Sequence, residues 1–264
     1  MIVIGEKLNS SIPSTQKAFE ERNEQFIKNL AVKQAERGAD YLDINAAMLP
    51  NEAELLLWAA ELAHEAAPDA GITLDSVNPE SVAYVLERLE LPRLMINSIT
   101  LEKNRFDSMV RLVKKYNASI IALPITTSEI PDDSEKRVAN AKALIQKLEN
   151  EDISHDRIFI DLLFQAAATD YEAPKAALIA AARLRDEYPN VHLTAGLSNI
   201  SFGLPKRAYL NNAMLTAGVV AGLDSAIMDI TNLDTAMYLA AANLISAQDE
   251  YAMGYIETYR ELFD

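Results

Sequence analysis

The chain has 264 residues, half of them apolar, which supports one sizeable core and sits near the roughly 250 residues of a single eight-stranded α/β barrel. It holds no cysteine, so disulfides, thiolate metal sites, iron–sulfur clusters and a cysteine nucleophile are excluded. A net charge of −15 with no basic stripe argues against nucleic acid and anionic membranes as partners.

The opening Ile2-Val3-Ile4-Gly5-Glu6 lacks the basic lead of a signal peptide, and no run approaches the ~18 apolar residues of a membrane span. A cytoplasmic protein is expected. From there, short apolar runs alternate with helical patterns eight times, at residues 2–4, 41–44, 72–74, 94–96, 119–123, 158–160, 191–194 and 223–228. Continuous apolar runs suit parallel strands buried on both faces. Between them, Phe26, Ile27, Leu30, Ala31 and Ala35 fall on one helical face. So do Phe106, Met109, Val110, Val113 and Tyr116, and again Val138, Ala141, Leu144, Ile145 and Leu148. Gly38 reads as a helix C-terminal stop, Asn78-Pro79-Glu80 as a helix start, and Ser134 as the cap of a helix over 135–149. Residues 250–263 read as an extra helix after the eighth unit.

Such alternation means a closed barrel or a doubly wound open sheet. No GxGxxG follows the first strand and no GxxxxGK[ST] occurs, which removes the support for a nucleotide-binding open sheet. The expected architecture is therefore one (β/α)₈ TIM barrel over residues 1–264 with an added C-terminal helix.

In such barrels the active site lies at the C-terminal ends of the strands. Here those ends carry Glu6 and Asn9, Asp43 and Asn45, Asp75-Ser76, Asn97-Ser98, Asp161, Ser198-Asn199, and Asp224 and Asp229. Any one of these can simply start a turn or cap a helix. Six or seven strands ending this way point to a mouth lined with acids and amides. Cations are sparse there, Lys7 and Arg207 being the main candidates, so a phosphate ligand is disfavoured. A neutral ligand rich in N–H donors fits better. A 2-amino-4-oxopterin is one, since its ring N–H and exocyclic amine can donate side by side to a carboxylate. Composition alone also leaves open a metal-dependent lyase with carboxylate ligands. The three histidines, His64, His155 and His192, show no metal-ligand spacing, and no bound metal is expected.

The matching stretches run in order along the chain: Gly5-Glu6-Lys7-Leu8-Asn9, Gly38-Ala39-Asp40-Tyr41-Leu42-Asp43-Ile44-Asn45, Leu74-Asp75-Ser76, Ile96-Asn97-Ser98, Phe159-Ile160-Asp161, Gly196-Leu197-Ser198-Asn199-Ile200-Ser201-Phe202-Gly203-Leu204-Pro205 and Ala221-Gly222-Leu223-Asp224. With them the chain resembles the pterin-binding methyltransferases that act on methyltetrahydrofolate and a corrinoid protein. The folate domain of cobalamin-dependent methionine synthase is a more distant likeness. The Gly196–Pro205 block is the most specific of these motifs.

That resemblance implies that Asp75, Asn97 and Asp161 hold the pyrimidine edge of the pterin and that Asn199 reaches N5. Ser198 and Arg207 would be supporting contacts, and Glu6, Asn9 and Asn45 would complete the substrate wall. Tetrahydrofolate and 5-methyltetrahydrofolate are the implied substrates. The corrinoid would come from a separate partner protein, because no DxHxxG cobalamin motif is present. The resemblance further implies direct methyl transfer, in the direction of tetrahydrofolate, by a homodimer. Leu162 departs from the proline common after the strand-six aspartate, and residues 123–131 lack a glycine common in that loop. Three rivals remain. Dihydropteroate synthase is one, though its glycine-rich DPGxGF loop is missing; the others are a metal-dependent aldolase or lyase and a non-catalytic pterin-binding module.

Overall fold

Each apolar run becomes a parallel strand: β1 (Ile2–Asn9), β2 (Tyr41–Asn45), β3 (Gly71–Asp75), β4 (Leu94–Ile99), β5 (Ser119–Ala122), β6 (Ile158–Asp161), β7 (His192–Thr194) and β8 (Ser225–Met228). In this computed structural model, residues 1–126 and 130–264 are described; Thr127, Ser128 and Glu129, within the loop whose missing glycine was noted, lie outside them. The strands pair in the order β7-β6-β5-β4-β3-β2-β1-β8. Across the remaining seam, Asp224 N–H donates to Leu193 O (3.3 Å) and Ile227 N–H to Ala195 O (3.0 Å), so the cylinder is nearly closed.

Helices alternate with the strands: α1 (Pro13–Glu20), α2 (Glu24–Glu36), α3 (Glu52–Ala66), α4 (Pro79–Leu86), α5 (Lys103–Lys115), α6 (Ser134–Glu149), α7 (Ala173–Glu187), α8 (Arg207–Val220), α9 (Leu233–Ile245) and α10 (Met253–Phe263). The apolar stripes of α2, α5 and α6 pack on the strands, with Ile27, Met109, Val113, Ala141 and Leu144 all fully buried. Gly38 adopts φ +89° behind α2, a conformation that favours glycine. The Asn78 side chain accepts the Glu80 N–H at the start of α4.

Three expectations need correction. The cap of α6 is Asp133, whose carboxylate accepts the Lys136 N–H, and Ser134 is already the first helical residue. The helix α1 was not anticipated; it is only eight residues long, opens at Pro13 and buries just Thr15, Ala18 and Phe19. The last helix starts at Met253, after a short 3-10 turn over Glu250–Ala252.

The core has two parts. The larger lies between strands and helices. The smaller, Ile4, Met95, Ile121 and Phe159 with Ile2, Tyr41 and Ile227 against it, fills the inside of the cylinder. Because alternate residues of a strand share a face, the next inward residue above each of these is set by counting two. Above Ile4 comes Glu6, above Tyr41 Asp43, above Met95 Asn97, above Phe159 Asp161, and above Ile227 Asp229. A dry floor thus carries a polar layer one pleat higher, at the C-terminal ends.

Candidate active site

The polar layer opens into a cavity of about 870 Å³, within the range of small-molecule sites. Glu6, Lys7, Asn9, Asp43, Asp75, Asn97, Asp161, Ser198, Asn199 and Arg207 all line it. Asn45 does not form part of this wall. It stands behind Asp75, donating from Nδ2 to Asp75 Oδ2 (2.8 Å) while its own Oδ1 accepts the Ala47 N–H (3.0 Å).

How two neighbours, Glu6 and Lys7, both face the mouth follows from the strand. Gly5 pairs with Leu42 but Leu8 with Ile44, so β1 carries one residue more than β2. This bulge breaks the alternation. The Lys7 N–H that leaves the ladder is taken by Gln34 Oε1 of α2 (3.0 Å). Lys7 Nζ then meets Asp229 Oδ2 at 3.1 Å, and Glu6 Oε2 accepts the Ser198 hydroxyl at 3.0 Å.

The carboxylates are buried, and some of them repel one another: Asp43 feels Asp75 and Glu6, and Glu6 feels Asp229. Asp43 is 2% exposed. Burial, and then the charge of Asp75, hold its pKa well above the usual carboxylate range, against the Asn97 Nδ2 that donates to it at 3.3 Å. Burial also pushes Asp75 up to about 6, countered by the Asn45 hydrogen bond and by Arg105. Asp161 likewise rises to about 6 through burial, opposed by the Leu163 N–H bound to its Oδ1 at 2.7 Å and by Arg137. Glu6 is raised by burial despite the Ser198 hydroxyl. Acids poised near neutrality in a cleft mark a functional site.

Asn199 sits in a 3-10 turn, Leu197–Ser201, after β7. Its side chain folds back over Gly196, where an added Cβ would stand 2.8 Å from Asn199 Nδ2. The amide is solvent-exposed and has no hydrogen-bond partner among the described residues. Arg207 supports this turn, donating from Nη2 to Ser198 O (2.7 Å) and from Nε to the Ser201 hydroxyl (3.0 Å).

The turn-forming reading of the strand-end residues also applies in part. Asn9, Asn45, Asp161 and Asp229 each accept a backbone N–H two residues on. Asp75 and Asn97 do not; both line the cavity, Asp75 accepting from Asn45 and Asn97 donating from Nδ2 to Asp43. Asp224 is corrected: it precedes β8 at the opposite end of the barrel, bound to His192 and Arg185. Arg105 was missed. It reaches from α5 to Ser98, with Nη2 2.9 Å from the hydroxyl, and lines the cavity beside Asp75. Among the described residues no three carboxylates or histidines form a metal-binding group, and no helix is long and apolar enough to cross a membrane.

Fold and site together define an α/β barrel whose mouth is lined with carboxylates and amides. The chain belongs to the pterin binding enzyme family, matching it over residues 7–229. It is 34% identical to the methylcorrinoid:tetrahydrofolate methyltransferase of Eubacterium limosum, over 99% of this chain and 97% of that one. It is also 31% identical to the methionine synthase of Mycobacterium tuberculosis across 88% of this chain, which corresponds to only 21% of that much longer protein. A dihydropteroate synthase structure from Coxiella burnetii, solved with pteroic acid, superposes with a TM-score of 0.69 over 94% of this chain and 93% of its own, at 17% identity. That likeness is one of fold.

Proposed function

We propose that the chain is a methyltransferase that moves a methyl group from a methylated corrinoid protein to N5 of tetrahydrofolate, giving 5-methyltetrahydrofolate. One observation carries the reading: Asp75, Asn97, Asp161 and Asn199 line one cavity in a chain 34% identical, end to end, to a relative named for this reaction. Asp75 and Asp161 accept the pterin's ring N–H and exocyclic amine, and Asn97 takes the lactam edge with Asp43 behind it. Asn199, exposed and without a hydrogen-bond partner among the described residues, turns to N5, while Arg207 and Ser198 keep its turn in place. Glu6 and Asn9 close the near wall, and Asn45 acts through Asp75.

The partner's corrinoid supplies the cobalt-bound methyl group. This chain holds N5 at the open mouth, facing outward, and aligns it for an in-line transfer. Asn199 Oδ1 accepts the N5 hydrogen as the nitrogen begins to carry charge, and the proton leaves to solvent through the mouth, because an amide takes up no proton at neutral pH. Exposed Phe202 and Tyr171, on the loops after β7 and β6, offer apolar contacts to the incoming corrinoid protein. The exposed Met253, Ile256, Tyr259 and Phe263 of α10 are assigned to the contact of a homodimer.

The test is anaerobic turnover of tetrahydrofolate with a methylated corrinoid protein. Asn199→Ala is expected to lower the rate about 100-fold, with little change in tetrahydrofolate affinity. A rate equal to the parent removes Asn199 from the chemistry. Condensation of a pterin pyrophosphate with p-aminobenzoate would instead favour the dihydropteroate synthase reading. That reaction asks for free cations, whereas Lys7, Arg105 and Arg207 are engaged with Asp229, Ser98 and the Ser198–Ser201 turn.

A further inference from the structure

We infer that Arg137 is the positioning residue of the pterin site, holding the loop after β6 so that Asp161 presents an ionised carboxylate to the ligand. The inference rests on the proposed role of Asp161. Arg137 lies in the first turn of α6, behind the barrel wall, and is 2% exposed. A buried guanidinium is costly unless it is well used. Among the described residues it forms no ion pair within 4 Å. Its Nη1 instead donates to two consecutive backbone carbonyls, Leu162 O and Leu163 O, both at 2.7 Å. Those carbonyls belong to the two residues that follow Asp161.

The geometry makes Leu163 a clasp. Its carbonyl is held by Arg137, and its N–H donates to Asp161 Oδ1 at 2.7 Å. Its backbone is left-handed, φ +54°, which a leucine adopts only when its surroundings impose it. Arg137 is thus joined to the Asp161 carboxylate through one residue, in the place where Leu162 stands instead of proline. The positive charge behind the loop also favours the ionised form of Asp161. Among the described residues, no other charged side chain acts on Asp161. Those acting on Arg137 are Asp161 first, then Asp170 on the same loop and Asp132 and Asp133 ahead of α6.

Three consequences separate positioning from mere structural support. Without Arg137, Leu163 is free to leave the left-handed region, Asp161 loses its fixed acceptor direction, and the carboxyl holds its proton to higher pH. Pterin binding should weaken while turnover at saturating tetrahydrofolate is retained.

The test is anaerobic calorimetric titration with tetrahydrofolate from about pH 5 to about pH 8, on the full chain and on Arg137→Met, Arg137→Lys and Asp161→Asn. Binding to the parent should fall on the acid side with a midpoint near pH 6, where Asp161 and Asp75 both titrate, and the Asp75 contribution is common to the parent and all the variants. In Arg137→Met that midpoint should rise by about one pH unit, and affinity at neutral pH should fall about tenfold. In steady-state assays KM rises with it and kcat stays. Arg137→Lys keeps the charge and so the midpoint, with intermediate affinity. If Arg137→Met does not fold, Arg137→Gln, which keeps a donor for the loop but no charge, carries the same expectation. A neutral Arg137 variant that binds tetrahydrofolate with the parental affinity and midpoint overturns the inference, whatever its melting temperature. If Asp161→Asn itself binds like the parent, it is the role of Asp161 that fails, and the two failures are told apart.

Discussion

Asp161 ends β6 with its carboxyl buried and its pKa lifted to about 6, chiefly by burial. A carboxyl whose pKa is raised in the folded state destabilises that state when ionised. The effect is absent below the unfolded value near 4, grows as pH rises through about 6, and is constant above. Asp161→Asn should therefore stabilise the ligand-free chain at neutral pH, by about 1–3 kcal/mol, because Asn keeps an acceptor for the Leu163 N–H without the buried charge. The same variant should bind tetrahydrofolate more weakly by about 1.5–3 kcal/mol, having lost a charge-assisted contact. Thermal unfolding with and without ligand measures both; a variant that melts below the parent at neutral pH contradicts the buried-charge account. Asp75, Asn97 and Asp161 were legible because each directly follows an apolar run, where the strand must reach the mouth. Asp43 was placed at the mouth but given no role, since it lies inside its apolar run. Arg105 and Arg137 were hidden for another reason: they come from helices, where an arginine looks like part of any solvated face until packing turns it inward.

At the level of elements, β1 does what no regular strand can, turning Glu6 and Lys7 to the same side. The bulge depends on Gln34 of α2, which takes the displaced Lys7 N–H and fills the space beside Gly5. A Cβ on residue 5 would stand 2.5 Å from Gln34 Oε1. That atom is the end of a side chain and can swing away, but the Lys7 N–H then loses its acceptor. Gly5→Ala should cost about 1–3 kcal/mol through that orphaned donor. It should also weaken tetrahydrofolate binding, since the bulge carries Glu6. Chemical denaturation and ligand titration check the pair, and Gly5→Ala combined with Gln34→Ala should not recover the loss, because the missing partner, not the overlap, is responsible. Neither the bulge nor α1 was readable from periodicity. A single extra residue leaves the apolar run unchanged, and a helix of eight residues with two buried apolar side chains gives little signal.

Across the whole molecule, the eightfold alternation revealed the cylinder, but not how it is fastened at the β7–β8 seam. There the strands are short and few ladder bonds form, so side chains take over. Asp224, just before β8, accepts the Leu193 N–H at 2.7 Å, meets His192 Nδ1 at 2.9 Å and Arg185 Nη2 at 2.9 Å. Arg185 also binds the carbonyls of Gly222, Pro189 and Val191, and the His192 ring stacks on Phe159 of the barrel floor at 4.4 Å. Burial pushes the Asp224 carboxyl upward, but His192, the Leu193 N–H and Arg185 together hold it below its usual value. The sign is therefore opposite to that of Asp161. The stabilisation is present above the unfolded pKa near 4 and is lost as pH falls through the lower folded value. Asp224→Ala should lower stability at neutral pH by about 2 kcal/mol, leaving a backbone N–H and a guanidinium short of a partner in a half-buried place. The difference from the parent should shrink under acid conditions, where the parent's own carboxylate is protonated. Because Asp224 lies at the end of the barrel away from the mouth, tetrahydrofolate affinity should remain within about twofold of the parent. Thermal unfolding at neutral and acid pH, with one titration at neutral pH, separates this from a diffuse loss of the fold: a variant equally destabilised at every pH, or one that also loses the ligand, would mean that Asp224 does more than close the cylinder.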